Sequence, residues 1–310
     1  MGILKSVKPI DINRTYISDS FRNLQDEICT ELEHCDGQGA FKEELWGRDE
    51  GGGGRTRILQ NGNIIEKGGV NFSEVYGPLS DQIADGLKVS RGNDFFATGV
   101  SVIMHPISPM IPIIHMNVRY FEVSSGEKWF GGGIDLTPIY IDVNQTKQFH
   151  SNLKSICDRH HHSYYPAFKK WADDYFYIKH RNETRGVGGI FFDRLGSDDE
   201  ITLEERFAFV EEIGKSFVPI YTSIINENRN LPYEDLEQTW QKVRRGRYVE
   251  FNLVYDKGTK FGLDSGGRIE SIFMSLPPEV SWLYNYQPEP DSNEAITSSL
   301  LRKNIDWINF

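Results

Sequence analysis

The chain has 310 residues, 38% of them hydrophobic and 25% charged, the balance of a soluble globular protein with room for a sizeable core. Its formal net charge of −11 argues against a general nucleic-acid binder, though a cleft with its own local field still suits an anionic small molecule. No stretch approaches about 18 apolar residues, so no transmembrane segment is expected.

The three cysteines, Cys29, Cys35 and Cys157, are odd in number and lack metal-ligand spacing. With no signal peptide evident, they point to buried thiols in a reducing compartment. The opening "MGILKS" fits the acylation pattern of Gly2 with Ser6, a pattern frequent by chance. Lys5, Lys8 and Arg14 are followed closely by acids rather than forming a long basic presequence, so a cytoplasmic location is expected.

In chain order, "SFRNLQDEICTELEHCDG" spaces Phe21, Leu24, Ile28 and Leu32 as a helix and ends at Gly37. Gly51 to Gly54 read as a mobile loop, since no Gly-Lys-Ser/Thr follows to make a phosphate cradle. "RILQNGNIIE" reads as a hairpin turning at Asn61-Gly62. Strands are expected at 96–105, 115–124, 128–141 and 247–256, with shorter ones at 189–193 and 271–276. Helical periodicity runs through 144–182 and 201–245. Consecutive strands without an intervening helix argue antiparallel pairing and an α+β fold, here a single domain over residues 1–310.

Alternation along these strands sorts apolar from chemically capable residues. His115, Asn117 and Arg119 share one face, as do Gly99, Ser101, Ile103 and His105; Tyr248, Glu250, Asn252 and Asp256 would share another. A solvated face is the plainer reading. Against it, these faces carry His, Asn, Arg, Ser and Gly where Lys, Glu and Thr are usual. Gly131 to Gly133 in "WFGGGIDLTP" strip side chains from mid-strand beside Asp135, so a ligand is expected to approach closely. On that view Gly132→Val should block binding and spare the fold. Arg119 and Arg268 could hold carboxylates, and Asp135 and Asp256 could accept from N–H donors or act as bases.

His160, His161 and His162 read as a solvated loop. His105, His115, His150 and His180 could form a divalent-ion site, yet none shows a ligand motif, and no metal is assigned.

At these residues the chain resembles the oxygen-dependent coproporphyrinogen-III oxidases of haem biosynthesis. The resemblance is carried by "GGGGRTRILQNG", "GVNFSEVYG", "TGVSVIMHP", "HMNVRYFE", "WFGGGIDLTPIY", "KHRNETRGVGGIFFD", "RRGRYVEFNLVYDKGTKFGL" and "RIESIFMSLPP", from about residue 20 to the terminal "IDWI". It implies a homodimer whose subunit has a large antiparallel sheet of about seven strands with helices on both faces. It implies oxidative decarboxylation of two propionates of coproporphyrinogen III to vinyls, giving protoporphyrinogen IX. Oxygen is the co-substrate, carbon dioxide and hydrogen peroxide are released, and no organic cofactor is implied; a divalent metal is possible but not favoured.

By position, the resemblance makes His115 the proton donor and places Ser101, Asn117, Val118, Arg119, Gly266, Gly267 and Arg268 at the substrate. Asp135 and Asp256 become the acids at the pyrrole N–H groups, and the four histidines above match the family's metal candidates. Lys257 departs from the family's arginine and lacks its planar fork, so it receives no clamp role. A His-carboxylate iron oxygenase and a non-catalytic tetrapyrrole carrier are the rival readings.

Overall fold

The computed structural model describes residues 12–264 and 267–310, so Gly2, Lys5, Lys8 and Gly266 lie outside the described residues. The element order begins α1 (Arg14–Asp36), β1 (Lys42–Gly47), β2 (Gly52–Gln60), β3 (Ile65–Pro78), α2 (Asp81–Leu87), β4 (Asp94–Pro106), β5 (Ile113–Val123) and β6 (Lys128–Thr137). It continues α3 (Val143–His160), α4 (Tyr164–Tyr175), the two-residue strands β7 (Tyr177–Ile178) and β8 (Glu183–Thr184), and β9 (Gly188–Leu195). The helices α5 (Leu203–Asn228), α6 (Asp235–Val254), α7 (Lys257–Asp264), α8 (Ile269–Phe273) and α9 (Asn293–Leu300) complete it.

Seven strands form one antiparallel sheet in the order β1-β2-β3-β4-β5-β6-β9, bearing out the α+β expectation. The β2–β3 hairpin turns at Asn61, whose φ of 57° is the left-handed conformation the turn needs. The Asp36 carboxylate ties α1 to that turn by accepting the N–H groups of Gly39, Asn63, Ile64 and Ile65. Burial opposes its ionisation, but those four donors hold the carboxyl below its usual range.

One face of the sheet is apolar. Val70, Phe72, Val100, Val118 and Ile134 are buried against Ile17 and Phe21 of α1, Phe149 and Leu153 of α3, and Ile213 and Phe217 of α5. α6 covers part of the other face, where Ile103, Ile113, Trp240, Val243 and Tyr248 pack together. α4 closes the β9 edge, with Phe168 on Phe192 and Tyr175 stacked on Phe191 at 4.2 Å. Helices therefore lie on both faces.

Three local expectations are corrected. Residues 247–256 are not a strand: 247–254 are the last turns of α6, and Tyr255 and Asp256 follow its end. Their aromatic and β-branched residues imitate a strand, yet Arg244, Arg245, Tyr248, Phe251 and Asn252 form one buried helical stripe continuing without a break from Trp240. Tyr248 and Asn252 thus share a face as i and i+4, while Glu250 turns away to His180 and Arg181. Residues 271–276 likewise belong to α8 and the turn after it. Gly52 to Gly54 open β2 rather than forming a loop, because a Cβ on Gly54 would strike the Trp46 ring of β1 and one on Gly53 the Trp46 carbonyl.

Candidate active site

Cross-strand register assembles a polar floor on the sheet face opposite the core. One row runs Thr56, Asn71, Ser101, Asn117 and Gly133; the next runs Gly54, Ser73, Gly99, Arg119 and Gly131. His115 and Asp135 are direct partners in a third row, which ends at the α6 wall beside Ile103. Stacked Phe121 and Trp129 bound the opposite end. Tyr175 and Phe191 bound the β9 side, and the α8 segment bounds the β1 side. There Arg268 pairs with Glu44 at 2.5 Å, Ser271 meets Thr56 at 3.1 Å, and Lys67 donates to the Leu276 carbonyl.

The electrostatic centre of this basin is a chain of three residues. His115 Nδ1 lies 2.9 Å from Asp135 Oδ1, and Arg185 Nη2 donates to both Asp135 oxygens at 2.7 and 2.6 Å. The Asp135 and Arg185 side chains are each 2% exposed, whereas His115 is 25% exposed and faces the basin. Arg185 is boxed by the rings of Phe176, Tyr248 and Phe251 at 4.4 to 4.8 Å, and its Nη1 donates to Asn252. Burial alone would raise the Asp135 carboxyl, but the adjoining guanidinium and the hydrogen bond from His115 hold it below the carboxylate range. An ionised carboxylate only accepts, so His115 Nδ1 carries the hydrogen of this bond.

Arg119 lies flat. Its Nη1 donates to Asn117 Oδ1 at 2.9 Å and its Nη2 to Asp193 Oδ1 at 3.0 Å, reaching across Gly131 on the intervening strand. Asp256 lies between α6 and α7, near the β9 edge. Its Oδ1 accepts the Tyr175 hydroxyl at 2.8 Å, and its Oδ2 accepts the Thr259 N–H in the first turn of α7.

The three glycines do different things. Gly131 and Gly133 face the floor, whereas Gly132 faces the core, where a Cβ would sit 2.9 Å from the Phe192 ring. The expectation for Gly132→Val is therefore corrected: it would disrupt packing, not the basin. Val118 also points into the core and is fully buried, so only its backbone lies at the floor. Ser101, Asn117 and Arg119 meet on the floor, and Gly267 and Arg268 sit at its β1 side.

The four candidate metal histidines do not converge. His150 is buried among the helices of the opposite face, between the Tyr165 hydroxyl and the Val187 carbonyl. His105 is enclosed and bonded to the Ser275 carbonyl, its pKa pushed down to about 3 by burial, while His180 pairs with Glu250. Among the described residues, no three His, Cys, Asp or Glu side chains come together as a ligand set.

The coproporphyrinogen III oxidase family model matches residues 16–307, nearly the whole chain. The chain belongs to that family. It is 45% identical to an oxygen-dependent coproporphyrinogen-III oxidase of Prochlorococcus marinus (strain NATL2A), covering 98% of this chain and 93% of that one. It is 48% identical to a chloroplastic oxygen-dependent coproporphyrinogen-III oxidase of Glycine max, covering 91% and 76%.

Sequence reasoning did not single out Arg185, Asp193 or Tyr175. Arg185 and Asp193 stand within "RNETRGVGGIFFD", where an arginine before a glycine run and an acid ending a strand were the only signals. Their meaning depended on β9 pairing with β6, which local pattern does not encode.

Proposed function

We propose that this basin is where the chain carries out the oxygen-dependent oxidative decarboxylation of two propionates of coproporphyrinogen III, giving protoporphyrinogen IX. The observation that carries the assignment is the buried Arg185–Asp135 pair presenting His115 at the edge of a flat polar floor. A tetrapyrrole with four carboxylates and four pyrrole N–H groups suits that floor: it needs cations at its rim, acceptors for its nitrogens and little side-chain bulk beneath it.

In this reading Asp135 is a positioning residue, since it is 2% exposed and its charge is matched by the buried Arg185 guanidinium. His115 gives or takes the proton at Nε2. Asp256, half-buried at the β9 side, is the carboxylate placed for a pyrrole N–H. Removing that proton makes the ring electron-rich enough to react with oxygen directly. The resulting peroxide then takes a propionate β-hydrogen as carbon dioxide leaves, and departs as hydrogen peroxide. The scheme uses no organic cofactor and no metal. Arg119 and Arg268 hold propionates, Asn117 and Ser101 line the floor, and the backbone at Val118 and Gly267 completes the contacts.

A homodimer and a cytoplasmic location are part of the same proposal. The free thiols Cys29, Cys35 and Cys157 suit a reducing compartment, and no helix among the described residues is long and apolar enough to cross a membrane. Sedimentation equilibrium of the purified chain should give twice the monomer mass. The activity is tested by supplying coproporphyrinogen III with and without oxygen, each with and without chelator. Turnover only with oxygen, indifferent to chelator, supports the scheme. Loss on chelation would move the assignment to a metal oxygenase, and binding without turnover to a carrier.

A further inference from the structure

Arg119 is built into its flat pose by the strands on either side of it. Its neighbour on β4 is Gly99, where a Cβ would come within 3.0 Å of the Arg119 Cβ; its neighbour on β6 is Gly131. A Cβ on Gly131 would sit 2.5 Å from Asp193 Oδ1 and 2.7 Å from Arg119 Nη2, so the bare backbone leaves the room in which this guanidinium and carboxylate meet. Asp193 is on β9, two strands from Arg119. The pair is open to the basin, with Arg119 37% and Asp193 32% exposed.

We infer that Asp193 is a positioning residue that occupies the Arg119 fork between turnovers and competes with substrate carboxylates for it. The inference rests on the proposed role of Arg119 as a propionate clamp. A propionate that takes Nη2 displaces a carboxylate of its own kind, so the exchange is close to balanced and the fork never presents a bare cation to the basin. Once a propionate has become a vinyl it no longer bonds to arginine, and Asp193 reclaims the fork. The competition therefore favours substrates that keep their carboxylate and speeds departure of the group that has lost it.

The test uses coproporphyrin III, the already oxidised tetracarboxylate, as a fluorescent probe titrated against wild type, Asp193→Asn, Arg119→Ala and the double variant. Asparagine keeps an acceptor but not the charge. Asp193→Asn should bind about two- to fivefold tighter, the range open to a half-exposed ion pair. Its KM for coproporphyrinogen III should fall with kcat unchanged or lower, and the gain should vanish in the Arg119→Ala background. If Asp193 only props Arg119 in place, Asp193→Asn will bind more weakly; weaker or unchanged binding overturns the competition. Wild-type affinity in Arg119→Ala would overturn the clamp itself, and the competition with it. Melting temperatures accompany each titration, and Asp193→Ser replaces the asparagine variant if that one is unstable.

Discussion

The guanidinium of Arg119 lies directly on the backbone of Gly131 and reaches over it to Asp193. A glycine that reads as a bare patch for a ligand is thus filled, in the resting protein, by the group proposed to hold that ligand.

Gly131→Ala and Gly132→Ala should consequently fail in different ways. The Gly131 methyl would press on the movable ends of Arg119 and Asp193, so KM should rise about tenfold with the fold kept. The Gly132 methyl would press on the Asn117 carbonyl and the buried Phe192 ring, and an overpacked core typically loses about 1–3 kcal/mol. Thermal melts and KM measured on both variants check the division.

Arg185 should be the least replaceable charge in the chain. Arg185→Ala leaves Asp135 with only its His115 hydrogen bond in a site of 2% exposure, and a buried pair that loses one partner typically costs about 3–5 kcal/mol. Arg185→Lys keeps the charge but cannot donate to Asp135 and Asn252 from one planar fork, so it should rescue stability only in part. Denaturant titration of the two variants tests this.

Asp135 also has a signature in acid. Its folded carboxyl is depressed, so the stability it contributes is complete above the ordinary value of about 3.9 and is lost as pH falls through the lower folded value. Asp135→Asn removes that titration. The variant should be less stable at neutral pH, and its stability should fall less steeply than wild type below about pH 4. Urea midpoints measured across that range read both effects.

The sheet was legible because its signals are local. The Asn61-Gly62 turn, alternation through 96–105 and 115–124, and the absence of a helix between those strands were enough to set antiparallel order. Tyr248 to Asp256 misled for a physical reason: a helix buried on one stripe and rich in Tyr, Val and Phe has strand-like composition, and only its run back through Arg244 to Trp240 shows the period. The faces of His115, Asn117 and Arg119 followed from alternation alone. The split between Gly131 and Gly132 also follows from alternation, yet the run of three glycines hid it. Asp193 lies on β9 and Arg185 in the bend just before it, and β9 pairs with a strand more than 50 residues earlier in the chain, so their partners were set by topology rather than by any local pattern.

The proposed scheme has His115, set by Asp135, and Asp256 do the proton chemistry in this basin. Its most direct test is aerobic turnover of coproporphyrinogen III by His115→Ala and Asp256→Asn, each beside wild type with melting temperatures recorded. A fall in kcat of at least about a hundredfold is expected in both, the usual scale for losing a general acid or base, in proteins that still fold. Turnover within a few-fold of wild type in both variants would contradict it.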